Sequence, residues 1–386
     1  MDWGSLTKLF EGFTDIGDHP KLIAMLAIGC ILLYLGIVRK FEPLLLVGIG
    51  TGIVLANLPL GEMVKPATDT ETGGILYYFY KYLLSNEIIP LLIFLGLGAL
   101  TDFTPLLNHP FTILLGAAAQ LGVFVAMVGA VALGFGLREA ASIGIIGGAD
   151  GPTTIFVATK MQELGGQNIL GPVAVAAYSY MALVPIIQPP IIKAMCSKEE
   201  RAIKMQSLAG TVSQRTKILF PIITVLVVGL LAPKATPLIG CLMFGNLLRE
   251  CGAVESLSLT AQNELANIVT ILLGITVGGM MSGTEFLRPE TILVFTLGIV
   301  AFSLDTVAGV ALGKLMCVLS GRKVNPMIGA CGISAFPMSS RVVQKLGLEA
   351  NPYNHLLMHA AGANTAGQIA SVVAGGVMLM LVPMFA

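Results

Sequence analysis

The chain has 386 residues, 55% hydrophobic and 11% charged, with 22 basic residues balancing 22 acidic ones and a mean hydropathy of +0.86. A soluble domain carries roughly 25% charged residues; a chain this apolar cannot cover itself with polar surface in water and needs the bilayer as its solvent. The neutral balance, with no basic stripe and no RNA-binding motif, excludes nucleic acid as a partner.

The N-terminal MDWGSLTKLFEGFTDIGDHP lacks a basic region running straight into an apolar one, so it is no signal peptide. It reads as an interfacial lead-in, with Trp3 and Phe10 at headgroup depth. Apolar runs approaching the ~20 residues a spanning helix needs follow at 22–38, 43–60, 87–101, 111–137, 169–192, 216–232, 235–248, 266–282, 290–319 and 353–384. Two more segments, 141–160 and 325–345, are apolar but interrupted by glycine, proline and polar residues. The expected fold is an all-α polytopic membrane protein, a single integral membrane domain over 1–386, with about ten spanning helices and two broken re-entrant segments.

Charge sets the expected orientation. Loop 193–217 carries Lys193, Lys198, Arg201, Lys204, Arg215 and Lys217 against Glu199 and Glu200, which marks the cytoplasmic side. Arg39–Lys40 and Arg322–Lys323 mark it again, whereas loop 61–86, with Glu62, Asp69 and Glu71, reads as external. These marks agree only if each broken segment enters and leaves on one side, the first opening outside and the second inside. The two also resemble each other. IGIIGGADGPTTIFVATK (143–160) and IGACGISAFPMSSRVVQK (328–345) share Gly144/Gly329, Gly147/Gly332, Pro152/Pro337 and Lys160/Lys345 in register. FLGLGALTDFTPLLNHPFTIL (94–114) resembles LLGITVGGMMSGTEFLRPETIL (272–293). The halves 87–192 and 266–384 therefore read as an inverted repeat, a plan common among ion-coupled transporters.

Inside hydrocarbon, freed backbone groups survive only where protein buries them or a wet cavity receives them. Gly147, Gly148, Gly151 and Pro152 break the first segment beside Asp150. A carboxylate among exposed carbonyls suits a hard monovalent cation, and a charge at that depth costs at least ~2.5–3.5 kcal/mol unless offset. The bland alternative is a helix cap, since Asp-Gly-Pro-Thr is a fair helix start. The mirror segment carries Asn325, Ser334, Ser339, Ser340 and Arg341. Arg341 is the complementary charge for a carboxylate, or else a snorkelling arginine at a helix end. Asn364, in HAAGANTAGQ, adds an amide oxygen. Tyr178 and Tyr180 are packing or functional aromatics, Asp305 is a second intramembrane acid, and His355 and His359 read as packing residues because no acid completes a metal site.

Five stretches carry a family resemblance: IGGADGPTTIF (146–156), VAVAAYSYMALVPIIQPP (173–190), FGNLLRECG (244–252), NPMIGACGISAFPMSSR (325–341) and HAAGANTAGQ (359–368). Together they are similar to the β subunit of the sodium-pumping biotin-dependent decarboxylases, which act on oxaloacetate, methylmalonyl-CoA or glutaconyl-CoA. The resemblance implies an elevator-type carrier, associated with trimers, in the bacterial inner membrane. It implies that the chain decarboxylates carboxybiotin, consumes a proton and exports Na+. The implied partners are a carboxyltransferase subunit, a biotin carrier protein and a small membrane γ or δ subunit. By the same resemblance Asp150 binds sodium, Tyr180 serves coupling, and Asn325, Gly329, Ser334, Arg341 and Asn364 match the remaining motif positions. The expected ion ligands are then Asp150, Asn325, Gly329, Ser334 and Asn364, with Arg341 and Asn364 at the carboxybiotin. The compact length and Asp305 incline toward the acyl-CoA branch. The competing expectation is a secondary sodium-coupled carboxylate symporter or antiporter.

Overall fold

The computed structural model describes residues 11–40, 42–206, 212–335 and 337–386. The lead-in through Phe10 and residues 207–211 of loop 193–217 lie outside them. Every regular element among the described residues is helical, as hydrocarbon demands of a spanning chain, because a helix satisfies its own backbone hydrogen bonds. In chain order the principal helices are α1 (Pro20–Ile37), α2 (Pro43–Ala56), α3 (Ile88–Leu100), α4 (Thr104–Asn108), α5 (Thr112–Ala119) and α6 (Leu121–Ala132). Then come α7 (Leu137–Gly144), α8 (Gly151–Glu163), α9 (Leu170–Met195), α10 (Gln214–Leu231) and α11 (Thr236–Glu250). The last are α12 (Ala266–Gly279), α13 (Pro289–Leu319), α14 (Met338–Ala350) and α15 (Leu357–Phe385).

Among the described residues five helical stretches are long and apolar enough to cross a membrane, or up to seven if two bent pairs each count as one span. The sequence suggested about ten. The difference lies in short helices: α2 and α12 have 14 residues each, about 21 Å against a hydrocarbon core of ~30 Å. Apolar runs do not guarantee long helices where glycine and proline intervene. In α9 the bend of 63° falls between Met181 and Leu183, and Pro185 crowds the carbonyl four residues back, that of Met181. The longest helices, α13 and α15, run 31 and 29 residues. On α10, Leu219, Ile222, Ile223, Leu226 and Leu230 are exposed, Leu230 at 83%. That outward apolar stripe suits contact with lipid tails.

The described residues form two compact units, one within 11–89 and 265–293, the other within 90–264 and 294–386. In the first, α2 packs between α1 and α12. Gly48 and Gly274 meet where α2 crosses α12, and a Cβ on either would stand 3.0 or 2.9 Å from the other's Cα. Such small-residue crossings let backbones approach where burial in lipid gives no driving force. Asn57 closes the end of the layer, its amide donating to Ile53 O at 2.8 Å and Met281 O at 2.7 Å while its oxygen accepts from Gly283 N at 2.8 Å.

In the second unit α15 is the central helix and touches α4, α5, α8 and α14. It feeds two apolar clusters. Val372, Ala374 and Met378 join Phe94, Phe156 and Leu242 in one, and Ala360 and Ala363 join Leu115, Val310 and Ile328 in the other. The broken segments flank it with the same local order. A 3-10 turn over Ile145–Gly148 precedes the 13-residue α8, and a 3-10 turn over Pro326–Gly332 precedes the 13-residue α14.

Candidate functional site

Ala149 holds the left-handed conformation, φ 50° and ψ 42°, between the first 3-10 turn and α8. Such a non-glycine residue costs about 1–2 kcal/mol. The turn aims the next residue, Asp150, at the N-terminus of α8. Asp150 is 3% exposed and caps the helix: its Oδ1 accepts the backbone N–H of Thr153 at 3.1 Å. Pro152 occupies the first turn, where no N–H is missed. The helix dipole therefore places its positive end on the carboxylate.

The cap uses one oxygen. Oδ2 accepts the hydroxyl of Ser334 at 3.0 Å and that of Ser371 from α15. Ser334 also donates its backbone N–H to Gly148 O at 2.9 Å, so the two broken segments touch through main chain and side chain. Asn364 donates to Ile333 O at 2.6 Å, one residue from Ser334, and its Oδ1 is buried without a partner. Over the other side of the cap lies Tyr178. A Cβ on Gly151 would overlap its ring, and its hydroxyl, like Thr153 Oγ1, is buried with no partner. The donor set is all oxygen: one carboxylate, hydroxyls and an amide. No group of three or more His, Cys, Asp or Glu among the described residues is placed to hold a metal. Oxygen-only surroundings with a single carboxylate favour a hard, weakly charged cation over a transition metal.

The other sequence-predicted residues stand elsewhere. Asn325 caps the second 3-10 turn, its oxygen accepting Met327 N–H at 3.0 Å. Its amide donates to Arg201 O at 3.1 Å and Ile203 O at 2.8 Å. Its side chain is thus engaged in tethering loop 193–217, helped by Asn354, which donates to Arg201 O at 2.9 Å. Asn325→Ala is expected to lower the stability of the folded chain by about 2 kcal/mol by orphaning these groups, with less than a ~2-fold change in half-saturating sodium. Thermal unfolding beside a sodium titration checks this; a direct ion ligand would show the reverse pattern. Gly329 is a contact point with α13, where a Cβ would overlap Gly309 O.

Tyr180 is 1% exposed and donates its hydroxyl to Phe295 O, so Tyr178, rather than Tyr180, lies beside Asp150. Arg341 sits in the first turn of α14, exposed, its backbone N–H donating to Pro337 O at 3.2 Å and its guanidinium in no hydrogen bond or ion pair among the described residues. A cation there opposes the helix dipole, a cost that an anionic ligand would relieve. His359 packs on His109, ring centroids 5.4 Å apart, and His355 is exposed.

Sequence reasoning missed Ser371. Its signal is the spacing from Asn364: seven residues, two helical turns, puts both on one face of α15.

Residues 21–382 match the family model described as Na+-transporting oxaloacetate decarboxylase beta subunit. The chain is 53% identical over 360 residues to glutaconyl-CoA decarboxylase subunit beta of Acidaminococcus fermentans, covering 93% of this chain and 92% of the relative. It is 51% identical over 386 residues to methylmalonyl-CoA decarboxylase subunit beta of Propionigenium modestum, covering 95% and 96%. It is 46% identical over 433 residues to oxaloacetate decarboxylase beta chain 2 of Salmonella typhi, covering 98% and 99%.

Proposed function

The chain belongs to the β-subunit family of the Na+-transporting decarboxylases, a multi-pass membrane family, and from that membership we propose that Asp150 is where it binds the sodium it exports. The observation that carries this reading is the carboxylate itself, buried at a helix N-terminus and met by Ser334 and Ser371 from two other elements. As it stands, the two hydroxyls donate to Asp150. Turning them by rotation about one bond each would present their oxygens, with Asn364 Oδ1, to a cation held on the carboxylate. Gly329 serves this site through its close approach to Gly309, which sets the turn that delivers Ser334, while Asn325 ties the start of that turn to loop 193–217.

Carboxybiotin, carried by a partner subunit, supplies the labile carboxyl group. Arg341 fits it: an exposed guanidinium without an internal anion can take a carboxylate through two parallel N–H donors. Asn364 lies on the same broken-segment side. Tyr180 Oη is the proposed proton relay; it would release Phe295 O, pass its proton on and regain one from the side by which sodium leaves. The two broken segments, alike in local order, are read as the mirrored gates of an inverted-repeat, elevator-type carrier, with 87–192 and 266–384 as its repeats and loop 193–217 on the cytoplasmic side. Loss of an anion at Arg341 then shifts the balance between two states, which is what coupling requires. A carboxyltransferase, a biotin carrier and a small γ or δ subunit complete the proposed assembly, with trimers as its proposed form. Relatives named for acyl-CoA and for oxaloacetate decarboxylases are about equally similar, so the proposal is limited to the carboxybiotin step they would share.

Avidin tests the reading. In vesicles reconstituted with the purified complex, avidin is expected to stop sodium uptake completely. A sodium-coupled carboxylate symporter would carry on, and uptake indifferent to avidin would sink the assignment.

A further inference from the structure

Asp305 is a second buried acid, midway along α13 and 0% exposed. One oxygen has a structural task. The span across α5 and α6 is interrupted at Gln120, and Asp305 Oδ1 accepts the N–H of Val123 at 3.2 Å in the first turn of α6. The other oxygen, Oδ2, is buried with no partner and lies against the turn that leads to Asp150: a Cβ on Gly147 would stand 2.7 Å from it. The next residue of the same turn, Gly148, faces a second orphaned acceptor. A Cβ there would stand 3.2 Å from Gln120 Oε1 and 3.4 Å from Ser371 Cβ. Two buried acceptor oxygens thus sit without donors on successive glycines, three and two residues before Asp150.

A carboxylate with one oxygen unsatisfied in hydrocarbon is costly. A metal cation would need several oxygens around it, and Gly147 and Ala301 pack too closely for that; a Cβ on Gly147 would be 2.9 Å from Ala301 Cβ. A proton needs only one acceptor, and Gln120 Oε1 is an orphaned one. No base is paired with Asp305 among the described residues. The elements around it carry Asp150, Tyr178, Tyr180, Lys193 and Cys331, and α13 itself carries Glu290, Lys314 and Cys317; none of these is hydrogen-bonded or ion-paired to Asp305 among the described residues, Lys193 and Lys314 pair with Glu349 and Glu200, and Gln188 and Thr306 are neutral.

We propose that Asp305 is a proton-binding site that works against sodium at Asp150 through the turn the two acids share. The proposal rests on the reading of Asp150 as the sodium site. The two acids act on one short turn, since Gly147 and Asp150 are separated by at most about 11 Å of chain. Sodium on Asp150 cancels a negative charge near Asp305 and eases loss of its proton. By reciprocity, a proton on Oδ2 weakens sodium binding. Proton entry on the exit side would therefore promote sodium release there, the direction an exporter that consumes protons needs.

The test uses the purified decarboxylase complex. In the wild type, the sodium concentration for half-maximal decarboxylation is expected to rise at least ~5-fold between about pH 8 and about pH 6. Asp305→Asn keeps the cap on Val123 and mimics the protonated acid. It is expected to hold the weak, low-pH sodium response across the range, with less than ~2-fold variation. A wild-type pH slope in Asp305→Asn overturns the proposal. Should that variant fail to fold, sodium added to the wild-type complex in weak buffer is expected to release protons, and no release overturns the proposal equally. Normal pumping by Asp150→Asn would instead bring down the sodium-site reading itself.

Discussion

Asp150→Asn is expected to fold and to lose sodium-dependent decarboxylation and sodium transport by ~100-fold or more. The fold survives because asparagine is as good a helix cap as aspartate, so Thr153 keeps its acceptor. The charge does not survive. With it goes the one anion that Ser334 and Ser371 both address, and hydrogen bonds to a charged group are each worth roughly 1.5–3 kcal/mol. Asp150→Ala is expected to do more, losing the cap at ~1 kcal/mol and stranding two buried hydroxyls. Sodium activation curves, beside thermal unfolding of the same samples, separate the two variants. Sodium pumping at the wild-type rate in Asp150→Asn would end the assignment.

Gly309→Ala is expected to be as damaging as Gly329→Ala, although only Gly329 lies in a motif. A Cβ on Gly309 would overlap Gly329 O, and a Cβ on Gly329 would overlap Gly309 O. Either substitution must therefore push α13 away from the Pro326–Gly332 turn, at ~1–3 kcal/mol or more for overpacking. That turn delivers Ser334 to Asp150, and α13 carries Asp305 one helical turn before Gly309. Both variants are expected to lose sodium-dependent turnover at least ~10-fold and to unfold at lower temperature. The result that would refute this is an inactive Gly329→Ala beside a fully active Gly309→Ala, which would make Gly329 a ligand through its own carbonyl.

The same pair shows how far the sequence could be read. Gly329 stood out because it aligned with Gly144 in the repeat. Gly309 stood out for nothing, since a glycine in an apolar helix is common and its partner is distant in the chain. Ser334 was legible from its motif; Ser371 was not, because a lone serine carries no cost in a membrane helix comparable to that of a charge. Asn325 was legible as a special residue, yet its side chain tethers Arg201 and Ile203, a contact no local pattern predicts. Of the two tyrosines in AAYSY, both were visible, but only packing put Tyr178 over Gly151 and Tyr180 against Phe295.

What the sequence determined by itself follows from local cost. A charge-poor chain must live in lipid, glycine and proline must break helices, and an acid beside such a break must be offset, so the membrane class, the two broken segments and Asp150 were all readable. The tertiary structure decided which groups offset it. It also decided that five to seven stretches among the described residues are long enough to span, and that Asp305 reaches the same turn as Asp150. The groups that offset Asp150 and the reach of Asp305 depend on contacts between residues more than a hundred positions apart, where side-chain direction and close backbone approach, rather than residue type, set the outcome.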